Sequence, residues 1–402
     1  MKDKKRIHPA LLALTASAMG LPGFARGQGA DALQLDYRYS AYREDDISGS
    51  QTSDGESSER YEIDSHQFHI ANPITDEFEL GADLTYERMS GASPWYVQPR
   101  ALGVDNEPVQ VMSRATIEER RADLLLSVTR RAGQGKGTVS LGYSKEDDYR
   151  AVNVGAQGEW QLADTVSTLS AGIGYSDDEL EPTQGTTPTS VTSASRDAVT
   201  VFGGYARVLG PDTVIQTSLS HTRHDGFLSD PYKAAFIVDA GGGVPAIVPE
   251  SRPGGRKQWA WLTRFRHYFA RPDAALHADY RLYDDDWDVT AHTIDLGWHQ
   301  NFADGWKLVP GLRWYSQSQA FFYEPFYATP RSDGFASSDY RLSPFGALSL
   351  SLGLSRDFDG WQLGLRYENY ESGDNYALKD VDVESPGLVD FGILSFNVRK
   401  TF

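Results

Sequence analysis

From Leu33 to the terminal Phe402, apolar residues recur at every second position in blocks of about ten residues. Leu33, Leu35, Tyr37 and Tyr39 alternate with Gln34, Asp36, Arg38 and Ser40. Phe78, Leu80, Ala82, Leu84 and Tyr86 do the same, as do Val139, Leu141 and Tyr143, and then Val152, Val154 and Ala156. The pattern returns at Leu169, Ala171, Ile173 and Tyr175, at Leu276, Ala278, Tyr280 and Leu282, and at Leu348, Leu350, Leu352 and Leu354. Trp361, Leu363, Leu365 and Tyr367 follow. Side chains of a strand alternate between its two faces, so each block is a strand with one apolar and one polar side. No segment shows a helical period.

About sixteen blocks of this kind, each close to the length of a tilted membrane-crossing strand, constrain the fold severely. The connections between them alternate in length. Residues 72–76, 131–137, 162–166, 209–213, 270–274, 301–305 and 357–360 are short, whereas 44–58, 89–115, 177–196, 223–255, 319–345 and 371–388 are long and polar. A soluble sandwich has no reason to alternate in this way. A transmembrane antiparallel β-barrel has tight turns at one end and long loops at the other. An even strand count puts both termini at the short-turn end, the periplasmic side for an exported chain. Phe78, Trp160, Phe269, Phe302, Trp306, Phe358 and Trp361 all lie near the short turns, where an interfacial aromatic girdle belongs. In the last block Leu394, Phe396, Val398 and Phe402 share one face, and Ile393, Ser395, Asn397, Arg399 and Thr401 the other. A terminal aromatic on an alternating strand resembles the signal read by the barrel-assembly machinery, although Lys400 stands where an apolar residue is usual.

Residues 1–25 have the form of a secretory signal peptide. Lys2, Lys4, Lys5 and Arg6 precede an apolar stretch from Pro9 to Met19, and Gly23 and Ala25 are the small residues of a cleavage site. The remaining 26–402 make one outer-membrane barrel domain. The 402-residue chain has 38 basic and 56 acidic residues and a net charge of −18. That balance repels phosphate backbones and excludes a nucleic-acid partner. Without cysteine the chain has no disulfide, thiolate metal site, nucleophilic thiol or covalent haem attachment.

If the apolar faces meet lipid, the polar faces line a lumen. They carry Arg38, Arg121, Arg264, Arg266, Arg281, Arg313, Arg366 and Arg399 together with Asp36, Glu79, Asp83, Asp123, Glu159, Asp279, Asp295 and Glu368. Mixed charge at this density fits either a wet pore with a transverse field or an interior closed by salt bridges, in which each charge is paired because an unpaired buried one is costly. Sixteen strands leave room for an aqueous channel unless loops fold in.

Catalytic patterns are weak. His66 and His69 are three apart on a strand and face opposite ways. His221 and His224 flank a strand end near Asp225, and His277 and His299 both fall on polar faces. No local signature marks a nucleophile. Two acidic runs, Asp284, Asp285, Asp286 and Asp288, and Asp177, Asp178, Glu179 and Glu181, are loop sites with the oxygen chemistry of Ca2+ but without the spacing of a helix–loop–helix calcium site. Divalent bridging to lipopolysaccharide would use the same groups. Residues 319–345 are rich in Phe and Tyr, and 225–255 hold two apolar runs around Gly241, Gly242 and Gly243. Exposed apolar groups at that density touch something, either the lumen as a plug or a partner protein.

Two loop motifs carry a resemblance: Ser90, Gly91, Ala92, Ser93 and Pro94, and, in the stretch from Gly226 onward, Asp230, Pro231, Tyr232 and Lys233. With the stretch from Glu118 to Asp123, the Arg264–Tyr268 strand and Phe402, they make nearly the whole mature chain similar to a group of proteobacterial outer-membrane proteins catalogued as a domain of unknown function. No activity or catalytic residue attaches to that group. Its members are often encoded beside a thioredoxin-like protein, a small lipoprotein and a flavin transferase, so the resemblance implies an extracytoplasmic redox setting. Read from the residues, Gly91 permits a bend, Pro94 ends a strand by removing a donor, and Asp230 and Pro231 set a turn that projects Tyr232 and Lys233.

The chain is therefore expected in the outer membrane of a Gram-negative cell, against lipid and lipopolysaccharide. The foremost expectation is a pore or transporter for small polar solutes or metal ions. The second is a sheath for a flavin- or haem-bearing redox lipoprotein that passes electrons across the membrane; the chain itself binds no cofactor in that reading. A surface scaffold or a barrel enzyme is the third.

Overall fold

The computed structural model describes residues 32–101, 106–113, 117–183 and 191–402; the signal peptide expected over 1–25 lies outside them. Alternation becomes strand along the whole described chain. The elements are β1 (Gln34–Glu44), β2 (Glu62–Pro73), β3 (Phe78–Gly91), β4 (Pro94–Pro99), β5 (Pro108–Met112), β6 (Ile117–Ala132) and β7 (Gly135–Lys145). Then come β8 (Tyr149–Gln161), β9 (Ser167–Leu180), β10 (Ala194–Gly210), β11 (Thr213–Gly226), β12 (Ala234–Ile237) and β13 (Ala246–Pro249). The chain ends with β14 (Gly255–Phe269), β15 (Ala274–Asp285), β16 (Thr290–Asn301), β17 (Trp306–Gln317), β18 (Phe345–Phe358), β19 (Trp361–Gly373) and β20 (Phe391–Thr401). Among the described residues there is no α-helix.

Sixteen of these strands form one closed antiparallel barrel, in which each strand pairs with its neighbours in sequence and β20 pairs with β1. β4 with β5 and β12 with β13 are separate hairpins inside two of the long loops. Closure removes every sheet edge, so the wall's backbone is paired strand to strand without water, with a break in the β16–β17 ladder at Pro310, which has no N–H to donate.

The rows expected to meet lipid are exposed on the outside of the closed wall. Leu124, Leu126 and Val128 on β6 face the same way as Val139, Leu141 and Tyr143 on β7 and Val152 and Val154 on β8. Leu350, Leu352 and Leu354 continue the band beside Leu363, Leu365 and Tyr367. An apolar belt around a closed barrel is compatible with a bilayer and not with water. Phe78, Trp160, Phe302, Trp306, Phe358 and Trp361 are exposed at the short-turn end, next to Phe402. Lys400 fits this border: its Nζ lies 5.0 Å from the Trp361 ring centre and 5.8 Å from that of Phe402, and donates to the Asp359 carbonyl at 2.9 Å. An outward lysine at the rim keeps its stem on apolar surface and its ammonium in the polar layer.

Length alternation holds with two exceptions. The connections 146–148 and 286–289 are at the long-loop end yet are tight. Both acidic runs are correspondingly less loop-like than their composition suggests. Asp284 and Asp285 complete β15, and Asp177, Asp178 and Glu179 lie within β9. Their charge is taken up across the sheet, where Arg256 reaches Asp285 at 2.5 Å, Arg196 reaches Asp178 at 2.7 Å, and Arg150 pairs with Glu179.

Candidate functional site

Every sequence-predicted lumen residue lies on the face opposite the exposed apolar rows. On β14 and β15, Arg264 stands directly across from Asp279, and Arg266 also engages that carboxylate. Arg313 pairs with Asp295 across β16 and β17 at 3.5 Å, Arg366 with Glu368 along β19 at 3.3 Å, and Arg399 with Asp36 across the β20–β1 seam at 2.5 Å. Arg131 holds Glu79 at 2.7 Å, Lys136 holds Glu159 at 3.2 Å, and His69 meets Asp83 at 2.8 Å. Arg121 is shared by Glu87 at 3.4 Å, Asp123 at 3.7 Å and Glu146 at 3.8 Å. Among the described residues, no carboxylate comes within ion-pair distance of Arg38 or Arg281; Arg281 lies over the Tyr283 ring.

The two readings of this wall are not exclusive. Most of the charges are paired, and those on β16, β17 and β19 are also wet. Arg313 and Asp295 are 52% and 45% exposed, and Arg366 is 48% exposed. Since these side chains face away from lipid, that exposure is to space within the barrel. Exposed pairs contribute little to stability, so this arc of the wall is a solvated polar lining and not a dry core, while the pairs around Arg121 and Arg264 are largely buried.

The long-loop end is different. Connections rooted around the circumference meet one another there. Gln110, in the β3–β6 connection, donates its backbone N–H to the Gln51 carbonyl of the β1–β2 loop at 2.7 Å. Val97 donates to Ser338 Oγ at 3.2 Å, and Ser338 donates to the Ala234 carbonyl at 3.3 Å, which joins the β3–β6, β17–β18 and β11–β14 connections. Arg60 pairs with Glu44 at 2.9 Å and donates to the Gly387 carbonyl at 3.2 Å, which ties in the β19–β20 loop. The first apolar run, Ala234 to Ile237, and most of the Phe- and Tyr-rich loop are consumed within this cap, whereas Val244 and Ile247 of the second run stay exposed. Ala235 and Ile237 pack with Tyr327 and Ala336; Ala234 and Phe236 pack with Tyr96; Phe322, Tyr323 and Leu342 pack with Trp287 and Val289. What covers the buried run is therefore the other loops.

At the heart of the cap three acids meet three bases. Asp339, fully buried, receives Arg341 at 2.6 Å, Arg252 at 2.7 Å and Lys233 at 3.4 Å. Glu250, also fully buried, accepts from Arg252 at 2.8 Å, from the Asp230 backbone N–H at 2.6 Å, and from Ser337. Asp230 meets Arg341 at 3.5 Å. Burial alone would raise the Asp339 carboxyl, but the adjoining Arg341, Lys233 and Arg252 hold it well below the usual carboxylate range. Asp230 goes the other way, pushed up to about 6 by burial and by the neighbouring Glu250. The net formal charge of the six is zero, the condition under which such a group can be buried.

The loop motifs belong to this cap, with two corrections. Asp230, Tyr232 and Lys233 do not project. All three are buried: Lys233 reaches Asp339, and Tyr232 donates its hydroxyl to Asp148 and accepts from the Thr183 N–H at 3.0 Å. Pro231 sits between them in the turn closed by Lys233 N–H on the Asp230 carbonyl at 3.2 Å. Pro94 does not end a strand but opens β4, opposite Met112. Gly91 has φ of 133°, and a side chain there would collide with the Arg60 carbonyl. Ala92 and Ser90 flank it, and Ser93 is buried with its N–H on Ser113 Oγ at 3.0 Å. Glu250, Arg252, Asp339 and Arg341, the remaining members of the charged group, went unrecognised in the sequence because nothing local distinguishes them from solvated loop charges.

The histidines are scattered over both faces of the wall, and among the described residues only one pair meets. His66 turns outward to Tyr37 and His69 inward to Asp83; His221 stacks on outward Trp259 while His224 meets Gln258. His277 and His299 face each other in the lumen with ring centres 3.9 Å apart. No described serine or threonine meets a histidine and a carboxylate in the manner of a hydrolytic triad.

Solved structures share the architecture. CdiB from Acinetobacter baumannii superposes with a TM-score of 0.51 at 10% identity, over 93% of this chain and 61% of that one. A siderophore receptor, PirA from Pseudomonas aeruginosa, gives 0.43 at 11% identity over 86% of this chain, and the CymD monoaromatic hydrocarbon channel 0.40 at 12% over 93% of this chain and 89% of that one. The chain spans 57% of the length of PirA. At these identities the likeness is one of fold, that of outer-membrane β-barrels. No curated protein matches the chain significantly. Over residues 11–388 the sequence matches the family described as protein of unknown function (DUF3570), and the chain belongs to that family.

Proposed function

We propose that this barrel is a gated outer-membrane conduit for small polar solutes or metal ions, with the loop cap at the cell exterior and both termini in the periplasm. One observation carries the reading: a solvated, charge-balanced lining lies beneath a cap assembled from loops around the circumference and latched by the buried group centred on Asp339. A paired lining lets polar solutes exchange one set of hydrogen bonds for another along the wall without meeting a large field of one sign. The cap supplies the closed state. A ligand or voltage that favours the open arrangement has only to offset the difference between the two.

Single-channel conductance of the refolded full chain in a planar bilayer tests this. The unmodified protein should be mostly silent. Asp339→Ala leaves the buried Lys233 without a carboxylate and the group with one excess positive charge, at a cost of about 3–5 kcal/mol, and should give stable conducting steps. Silence from folded forms of both proteins would overturn the conduit. A flavin- or haem-bearing lipoprotein retained by the purified barrel would then favour the electron-transfer sheath.

A further inference from the structure

At the rim of the lumen below the cap, Glu119 of β6 meets Glu146 and Asp148 of the β7–β8 connection. One carboxylate oxygen from each lies within 4.8 Å of the other two. The connection is held from both sides: the Glu146 N–H donates to the Tyr149 carbonyl at 2.7 Å, and the Asp148 carbonyl accepts from Glu181 at 2.8 Å. Three acids together are not a site. The independent observation is Glu146, whose side chain is 1% exposed and whose Oε1 accepts no hydrogen bond. The one guanidinium near it is already committed. Arg121 Nε, 3.8 Å from Glu146 Oε1, gives its single hydrogen to Ser144 Oγ at 3.1 Å, and Nη1 serves Glu87, so the pair with Glu146 is a loose one that brings no hydrogen bond to Oε1. A buried carboxylate oxygen without a donor is a costly arrangement unless something cationic completes it.

We infer that Glu119, Glu146 and Asp148 bind one Ca2+. All the donors are carboxylate oxygens, which select a hard cation over zinc or copper. Mg2+ demands a near-ideal octahedron and keeps most of its waters, usually with one or two carboxylates, whereas Ca2+ accepts several carboxylates in an irregular shell, so a three-carboxylate set suits the looser cation. The site is distinct from the acidic strand ends at Asp178 and Asp285, whose charges arginines already engage. Its position has a structural consequence. Asp148 also receives the Tyr232 hydroxyl, so a cation fixing Asp148 fixes the anchor of the β11–β14 loop. The inference does not depend on whether the lumen conducts.

The test is calorimetric titration of Ca2+ into the purified, chelator-stripped full chain, folded as judged by heat-modifiable migration. The unmodified protein should take up Ca2+ and unfold at a higher temperature with it. Glu146→Gln should weaken that uptake by about tenfold or more, and in chelator should unfold no earlier than the unmodified chain, since it removes an unsatisfied charge. Asp148→Asn, which keeps an acceptor for Tyr232, should weaken it likewise. Absence of uptake by the unmodified chain overturns the site. So does undiminished uptake by Glu146→Gln with earlier unfolding in chelator, the behaviour of a mere ion partner for Arg121.

Discussion

Asp230 is the residue whose environment is most at odds with its chemistry. Its carboxylate faces Glu250 and the three bases Lys233, Arg252 and Arg341, and burial with Glu250 outweighs the bases enough to push it up to about 6. A group that binds its proton more tightly in the packed cap than in a free loop stabilises the cap most at low pH, and that contribution is lost as pH rises from about 4 to 6. Asp339 acts in the opposite sense, but only below the usual carboxylate range. Acidification from pH 7 to 5 should therefore tighten the cap. Amide hydrogen exchange in 227–254, corrected for the intrinsic rate, should slow across that window, and Asp230→Asn should abolish the change. The wall obeys simpler rules. Leu350 is 56% exposed on the lipid side, and Ser351 beside it accepts from Arg366 at 2.8 Å. Leu350→Arg should cost about 2–4 kcal/mol in denaturant unfolding from bilayers, and Ser351→Ala well under half of that. Equal effects would mean the register is wrong by one residue.

At the scale of elements, what was readable divides along the membrane boundary. A strand such as β18 declares itself because lipid imposes one partner on every outward residue, so period two survives in Leu348, Leu350, Leu352 and Leu354 without knowledge of any neighbour. The hairpin of β12 and β13 does not. Ala234, Ala235, Phe236 and Ile237 are all buried, so no alternation remains, and their contacts, Tyr96, Tyr327 and Ala336, lie far away in sequence. Local pattern shows only that such a run must be covered, not by what. The acidic runs misled for the same reason: their arginine partners are on adjacent strands and become visible only with the register. Ala235 isolates the cap from the wall. It is completely buried, so Ala235→Asp would bury a charge with no partner and should open the cap while leaving the barrel intact. Limited proteolysis should then cut within 227–254 and 318–344, with heat-modifiable migration unchanged. Loss of that migration would show that cap and wall fold as one unit.

Across the whole molecule, the closing step is the pairing of β20 with β1, the contact of greatest sequence separation in the wall. Eleven residue pairs join the two strands, from Gln34 opposite Thr401 to Glu44 opposite Phe391. Phe402 lies just past that ladder: its N–H donates to the Leu33 carbonyl at 3.0 Å, and its ring is 66% exposed. As a packing element it therefore contributes little beyond one hydrogen bond, about 1 kcal/mol. Its value to the cell should be far larger if the terminal aromatic is what the assembly machinery reads. Deleting Phe402 separates the two roles. The purified chain should refold into detergent or lipid almost as completely as the intact protein, because the seam from Gln34 to Thr401 is untouched. In cells the same deletion should leave far less heat-modifiable barrel in the outer membrane. An equal deficit in both settings would make Phe402 a structural clasp for the seam; no deficit in either would mean that the address lies elsewhere in β20.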